Sequence, residues 1–117
     1  MMRLPNADGV VVPEEKITKY LLAETHPTGR GKARFFMSFG FRAADWRGLA
    51  TALLHHAQHR PVVAVETTQF GCRYVVEGPI TSPDGRNPNI RSVWFVEKEG
   101  GSPRLVTAYA CRMEARI

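Results

Sequence analysis

Residues 61–110, PVVAVETTQFGCRYVVEGPITSPDGRNPNIRSVWFVEKEGGSPRLVTAYA, decide the fold, because their side chains alternate with a period of two. β-Branched and aromatic residues dominate four segments, and clusters of Gly, Pro or Asp separate these segments. The pattern predicts four strands in meander order, namely Val62 to Thr68, Arg73 to Glu77, Ile90 to Glu97 and Arg104 to Tyr109.

The sequence before residue 61 has a helical period instead. Pro13 and two glutamates suit a first turn, and apolar residues then recur at i, i+3 and i+4 to about Ala23. Two more amphipathic segments follow. The first is Lys32 to Phe39, and Gly40 ends it. The second is Asp45 to His59, with Asp45 as the N-cap. Helices followed by strands predict an α+β fold, with two to three N-terminal helices packed on one face of a four-stranded antiparallel meander sheet.

Length and composition agree with one ordinary globular domain. The chain has 117 residues, of which 44% are hydrophobic and 23% charged, values that suggest neither disorder nor a membrane span. We expect a single domain over residues 1–117, with a helical part over 13–60 and a sheet part over 61–110. No secretory signal is recognisable, so a cytoplasmic location is the expectation, although a domain cut from a larger exported protein would look the same.

The charge balance favours a polyanionic partner. Sixteen Lys and Arg against 11 Asp and Glu give a net charge of +5, which favours RNA without excluding other partners. Cys72 and Cys111 lie far apart and are expected to be small buried hydrophobes, not a disulfide or zinc ligands. His55 and His59 have helical i, i+4 spacing but no evident third ligand, so we expect a polar helix end and no metal or cofactor.

Strand alternation assigns faces to the last strand. It places Leu105, Thr107 and Tyr109 on one face and Val106 and Ala108 on the other. Because Val106 and Ala108 are small and apolar, they suit packing under helices. Thr107 and Tyr109 are therefore expected on the face that the helices leave open.

RNA cleavage without a metal needs a proton acceptor for the 2′-hydroxyl, a proton donor for the leaving oxygen and cations around the phosphorane. The residues that can supply these parts are His26, Arg30 and Lys32 after the first helix, and Arg73, Arg91, Thr107 and Tyr109 on the strands. Each also has an ordinary interpretation, as a loop histidine bonded to backbone, a solvated cation or a strand-surface hydroxyl. Arg73 and Arg91 become cross-strand neighbours only if the register permits.

Several motifs spread along nearly the whole chain carry a family resemblance. They are Leu4-Pro5-Asn6-Ala7-Asp8, Tyr20-Leu21-Leu22, His26-Pro27, Gly29-Arg30, Lys32-Ala33-Arg34-Phe35-Phe36, Arg73-Tyr74-Val75-Val76-Glu77-Gly78-Pro79, Gly85-Arg86, Arg91-Ser92-Val93-Trp94 and Pro103-Arg104-Leu105-Val106-Thr107-Ala108-Tyr109. The chain thereby resembles an uncharacterised bacterial domain family whose members occur alone or at the C-terminal tips of toxin-like and phage-derived proteins. It departs from the family pattern after Tyr109, where Ala110-Cys111 stands in place of proline.

The layout of this family is similar to that of the barnase and colicin-type ribonuclease superfamily, which implies RNA cleavage by attack of the 2′-hydroxyl on the phosphodiester. Sequence and resemblance together predict a metal-independent endoribonuclease toxin. Its catalytic residues would be His26, Lys32, Arg91, Thr107 and Tyr109, with Arg30 and Arg73 holding RNA phosphates. His26 would act as general base or acid.

The expected partners are RNA and a cognate antitoxin or immunity protein, with no membrane. The alternative is a non-catalytic protein-binding module, such as a toxin–antitoxin partner, an immunity-like protein or a phage adaptor. An RNA-binding protein without chemistry is a third reading. Clustered arginines, histidine and hydroxyls on an open sheet face favour the enzyme, and a broad apolar patch there favours the binding module.

Overall fold

The computed structural model describes residues 2–23, 25 and 30–111, in which all helices precede all strands. The helices are α1 (Glu14–Lys16), which continues directly as a π-helical turn (Ile17–Leu21), α2 (Arg30–Ser38) and α3 (Trp46–His59), with short 3-10 turns at Ala7–Gly9 and Ala43–Asp45. The strands are β1 (Val62–Thr68), β2 (Gly71–Pro79), β3 (Asn89–Glu97) and β4 (Arg104–Ala110). The predicted α+β class is confirmed.

The helix ends follow the predicted chemistry in part. Gly40 ends the second helical segment with a φ of +103°, a left-handed conformation that favours glycine. Asp45 does occupy the N-cap of α3, but its side chain makes no capping hydrogen bond. The chain instead enters α3 from the 3-10 turn, where the Asp45 N–H donates to the Arg42 carbonyl. The predicted N-cap position of Asp45 is therefore confirmed, without a capping hydrogen bond from its side chain.

The four strands pair in the order β1-β2-β3-β4, and every pair is antiparallel. The register slips once in β4, where Trp94 of β3 faces Leu105 while Val93 faces Thr107. Val106 is thus the extra residue of a β-bulge, which reverses the alternation of side chains at that point. Leu105 is buried in the core and does not share the face of Thr107. The prediction that grouped these two residues is wrong for that reason.

The hydrophobic core lies between α3 and the sheet. Helix α3 buries Leu49, Leu53 and Ala57 and contacts β2 and β3, whose Trp94 is fully buried. The α1 segment and α2 lie against β4. Val11 also bridges the start of β4, since its N–H donates to Pro103 and its carbonyl accepts from the Leu105 N–H. The edge of the sheet at β4 is therefore partly covered by the N-terminal segment.

A buried polar network ties α3 to two strands. The Nε2 atom of His56 is 2.9 Å from the carbonyl oxygen of Gly78, and its Nδ1 atom is 2.8 Å from the hydroxyl of Ser92. A carbonyl only accepts, so Nε2 carries the proton and Nδ1 accepts from Ser92. Trp94 donates in turn to the same serine oxygen at 2.8 Å. The network joins α3 to β2 and β3.

Burial makes the network sensitive to acid. It lowers the pKa of His56 from 6.5 to about 4, because the imidazolium is poorly solvated in the core. In the unfolded chain the ring takes up a proton near its ordinary pKa. The folded state therefore keeps His56 neutral over a range in which the unfolded state binds a proton, and stability falls as the pH drops through that range.

We expect the free energy of unfolding to decrease by about 3 kcal/mol between pH 7 and pH 4 from this group alone. Urea unfolding across this range tests it. The His56→Gln variant should be less stable at pH 7 by about 1–3 kcal/mol, because the network loses a partner, and should show a shallower decline towards acid. The exposed neighbour gives the comparison, His55→Gln, which should alter the slope much less than His56→Gln does. An unchanged slope in His56→Gln would contradict the assignment.

Candidate functional site

The face of the sheet opposite α3, which we call the outer face, carries three rows of residues across the strands, and each row contains at least one polar residue. Ladder partners share a face, so the buried Ser92 and Trp94 of β3 define the core side and the residues that alternate with them define the outer one. The rows are Glu77, Arg91 and Tyr109; Val75, Val93 and Thr107; and Arg73, Phe95 and Arg104.

The first row holds the guanidinium of Arg91 in place. Its Nε donates to a carboxylate oxygen of Glu77 at 2.8 Å. Tyr109 lies directly opposite on β4, and its side chain also hydrogen-bonds to Arg91. The Glu77 contact raises the pKa of Arg91 further above its ordinary value. Arg91 is thus a permanently charged group on the outer face, fixed on both sides by neighbouring strands.

The second row meets the helices at the β4 edge. The hydroxyl of Thr107 lies 3.4 Å from the hydroxyl of Tyr20, in a long hydrogen bond that Thr107 donates. The Lys32 ammonium of α2 lies 5.4 Å from the centre of the Tyr20 ring, and the Lys16 ammonium of α1 lies 5.5 Å from it. Two cations and two hydroxyls from three elements therefore converge at one edge of the sheet.

The local backbone explains how Tyr20 comes to this position. It belongs to the π-helical turn, in which the Leu22 N–H donates to the carbonyl of Ile17, five residues earlier, at 2.7 Å. A π-helical turn changes the angular spacing of side chains and occurs often at functional sites. Ile17 and Leu21 of the same turn are buried, whereas Tyr20 is half-buried with its hydroxyl at β4.

The cations change the acidity of this phenol. Burial on its own raises the pKa of Tyr20, but the hydrogen bond with Thr107 and the charges of Lys32 and Lys16 together lower it below the ordinary value. The anionic form is the one that nearby ammonium groups stabilise. Tyr20 is therefore a stronger acid than a free tyrosine.

Arg91 and Thr107 lie close enough together for both to contact one phosphate group of a substrate. Arg91 is paired with Tyr109, and Thr107 is two residues along the same strand. Such diagonal neighbours have Cβ atoms about 7–8 Å apart, a distance that a phosphate and two long side chains can span. Of the predicted residues, Lys32 and Thr107 thus meet around Tyr20, and Arg91 and Tyr109 lie in the adjoining row of the outer face.

The other three predicted residues are not shown to join them. Arg73 faces Glu66 and Phe95, not Arg91, and lies four residues along β2 from Glu77, about 13 Å. This register excludes the cross-strand pairing of Arg73 with Arg91, which the sequence left open. Arg30 is exposed at the first position of α2. His26 lies outside the described residues.

Sequence reasoning missed Tyr20, Lys16 and Glu77. Tyr20 was counted with Ile17 and Leu21 as part of an apolar helical face, so its hydroxyl was ignored. The i, i+4 spacing of Lys16 and Tyr20 was the available signal, since it places a cation beside the ring. No sequence pattern singles out Glu77, because its role depends on the strand register that places it opposite Arg91.

The Gly85-Arg86 motif has a structural role. Arg86 donates to Asp84 at 2.7 Å and to the carbonyl of Ser38, at the end of α2, at 2.6 Å, and its guanidinium lies 4.4 Å from the centre of the Phe39 ring. The β2–β3 connector is thereby fastened to α2. These contacts help to position α2, which carries Lys32. They do not involve the residues of the outer face.

Other candidate chemistry finds little support in the part of the chain that the structure describes. His55 and His59 stack with ring centres 4.2 Å apart, and no group of three metal-ligating side chains occurs in residues 2–23, 25 and 30–111. The thiols of Cys72 and Cys111 are free and half-buried, less buried than predicted. No helix within the same ranges is long and apolar enough to cross a membrane.

The fold and the outer face define the class of protein: an α+β domain in which arginine and hydroxyl groups of an antiparallel sheet lie near lysines of the helical segments. The chain belongs to the family described as a domain of unknown function (DUF6883), whose model matches residues 3–112. The predicted membership of an uncharacterised domain family is confirmed. No curated protein matches the sequence.

A solved structure shares the fold. A chain of the contact-dependent growth inhibition toxin–immunity protein complex from Klebsiella pneumoniae 342 superposes with a TM-score of 0.67 and 20% sequence identity. The match covers 85% of the present chain and 97% of that chain. At this level of identity the likeness concerns the fold.

We expect Tyr20 to ionise at lower pH than Tyr74, whose pKa burial raises. Tyrosine ring carbon shifts measured by NMR across an alkaline titration test this order. Lys16→Gln should move the Tyr20 titration to higher pH, because one stabilising charge is lost. The matched control is Lys19→Gln, an exposed lysine in the same helical turn, which should leave the Tyr20 titration in place. Equal shifts in both variants would argue against a local effect of Lys16.

Proposed function

We propose that this domain is a metal-independent endoribonuclease of the toxin type. The observation that carries the proposal is the meeting of Lys32 and Thr107 around Tyr20 at β4, with Arg91 in the adjoining row of the outer face. Cations and hydroxyls placed together are what a phosphodiester needs when its phosphorus takes on a fifth oxygen. The net charge of +5 favours the approach of a polyanion.

In the proposed reaction the RNA 2′-oxygen attacks the adjacent phosphorus and the bond to the 5′-oxygen breaks. Lys32 and Arg91 stabilise the negative charge of the phosphorane, and Thr107 and Tyr109 orient the phosphate oxygens. His26 is the assigned proton carrier, as base or acid. Arg30, exposed at the start of α2, and Arg73, on β2, hold neighbouring phosphates of the RNA strand.

The ion pair with Glu77 is compatible with a role for Arg91. That contact engages the Nε atom, and a guanidinium has further N–H donors on its terminal nitrogens. A carboxylate that fixes Nε keeps the planar group from rotating away. The arginine thus remains able to donate to phosphate in a preset orientation.

The structural comparison supports the toxin context. The solved chain with the same fold belongs to a toxin–immunity protein complex. On this proposal the present domain is the nuclease member of such a pair. A cognate antitoxin or immunity protein would be its second partner.

Induced expression should arrest growth, and the purified domain should cleave total RNA or tRNA in the presence of EDTA. Lys32→Gln and Arg91→Gln should each lower the cleavage rate about 100-fold or more, the effect of removing one donor to a developing negative charge. His26→Ala should also lose toxicity. Cleavage is measured on gels with end-labelled RNA.

The control for lost charge is Arg34→Gln, because Arg34 is exposed on the same helix as Lys32. It should cleave at the parental rate. Intact RNA after incubation with the purified parent, combined with undiminished toxicity of His26→Ala, would refute the ribonuclease proposal.

A second candidate function, a protein-binding module, is favoured by the exposed apolar edge of the sheet. Among the described residues, β1 has β2 as its one neighbouring strand, although the Val62 N–H also donates to the carbonyl of Met2. Exposed hydrophobic side chains lie on β1 and on the following turn. Val63 is 51% exposed, Val65 41% and Phe70 69%. Exposed apolar residues on and beside an edge strand are typical of protein interaction sites. This surface suits the expected antitoxin or immunity protein.

If β1 binds a partner, Phe70→Glu should weaken the affinity for the product of the neighbouring gene about tenfold or more, since a charge would replace an apolar contact. Calorimetric titration of the two purified proteins measures the change. Arg42→Glu, an equally exposed substitution before α3, should bind as the parent does. Unaltered affinity of Phe70→Glu would exclude this edge.

A further inference from the structure

Tyr20 occupies a more polar setting than a core-packing residue requires. Its ring packs partly against the hydrophobic core, yet its hydroxyl reaches Thr107 on β4. Two ammonium groups, Lys16 from the segment before it and Lys32 from α2, lie 5.5 and 5.4 Å from the ring centre. The ring thus brings a phenol into the cluster that contains two residues of the proposed site, Lys32 and Thr107.

The direction of the hydrogen bond bears on what this phenol can do. Thr107 donates to the phenol oxygen, which is the acceptor in this bond. The same bond, together with the two ammoniums, stabilises the oxygen once the proton has left. A group whose anion is stabilised in advance is a good proton donor to a developing alkoxide.

We propose that Tyr20 is the general acid of the RNA cleavage and delivers its phenolic proton to the departing 5′-oxygen, with Lys16 and Lys32 stabilising the phenolate. The inference rests on the proposed ribonuclease function. It leaves the other half of the proton transfer to the base, the role that His26 then takes.

The step balances in atoms and charge. The 2′-oxygen forms a bond to phosphorus as its proton passes to the base, and the bond between phosphorus and the 5′-oxygen breaks. The electron pair of that bond stays on the 5′-oxygen, which takes the proton of Tyr20. The products are a 2′,3′-cyclic phosphate and a 5′-hydroxyl, and solvent returns a proton to the phenolate.

A substrate that needs no general acid separates this role from a structural one. In RNA with a sulfur in place of the bridging 5′-oxygen, the leaving thiolate is stable without protonation. Tyr20→Phe keeps the packed ring and removes only the hydroxyl. It should cleave ordinary RNA about 100-fold more slowly or worse, the usual contribution of acid catalysis, while cleaving the sulfur-substituted RNA at nearly the parental rate.

The pH profile gives a second, independent readout. A tyrosine acid must be protonated to act, so the cleavage rate should fall at alkaline pH as Tyr20 ionises. Lys16→Gln should displace this alkaline limb to higher pH, because Lys16 and Lys32 are the charged groups shown against the ring from the α1 segment and α2. Lys19→Gln, an exposed lysine of the same turn, should leave the limb unmoved.

The outcomes separate the two proposals. If the parent cleaves RNA and Tyr20→Phe loses nothing, or loses the same factor on both substrates, the acid role is overturned and the ribonuclease stands. If the parent cleaves neither substrate, the ribonuclease proposal fails, and the acid role fails with it. Should Tyr20→Phe not fold, the alkaline limb of Lys16→Gln decides, and an unmoved limb overturns the role.

Discussion

The hydrogen bonds of the buried His56 set the relation between the helical half and the sheet. One ring nitrogen donates to the backbone of β2 and the other accepts from Ser92 of β3, so the ring fits only one position of α3 over these strands. Apolar packing alone tolerates sliding, whereas a satisfied buried network does not. The ring must stay neutral for the pattern to hold, since its proton on Nε2 and its lone pair on Nδ1 are both used.

The geometry of the outer face depends on this fixed sheet and on one irregularity in it. The bulge at Val106 returns Leu105 to the core while keeping Thr107 in line with Val93. Without the extra residue, the strand would present either Leu105 or Thr107 to the wrong side. The bulge therefore allows β4 to place an apolar residue near Trp94 and, two residues later, a hydroxyl group on the other face, near Tyr20.

The periodicities of the sequence were sufficient for the element order, the meander and the α+β class, because those depend on local pattern. They also indicated Lys32, Arg91, Thr107 and Tyr109 as site candidates by residue type. The strand register could not be predicted. Arg91 pairs with Glu77 through contacts between separate strands, and no local sequence pattern specifies how those strands are aligned. The contacts of Tyr20 and His56 were not predictable for a related reason: a helical period indicates which face is buried, but not which partner a polar atom on that face contacts.

The two edges of the sheet differ in how they are protected. At β4 the N-terminal segment supplies a bridging residue and helices, but β1, with the sequence VVAVETT, contains neither lysine nor proline. Those residues are the usual means of stopping strands of separate molecules from joining. Apart from its bulge at Val63, the charge of Glu66 and the hydrogen bond from Val62 to Met2, this edge has little to prevent self-association at high concentration. A protein bound there would act as a solubilising cover for the domain as well as a partner.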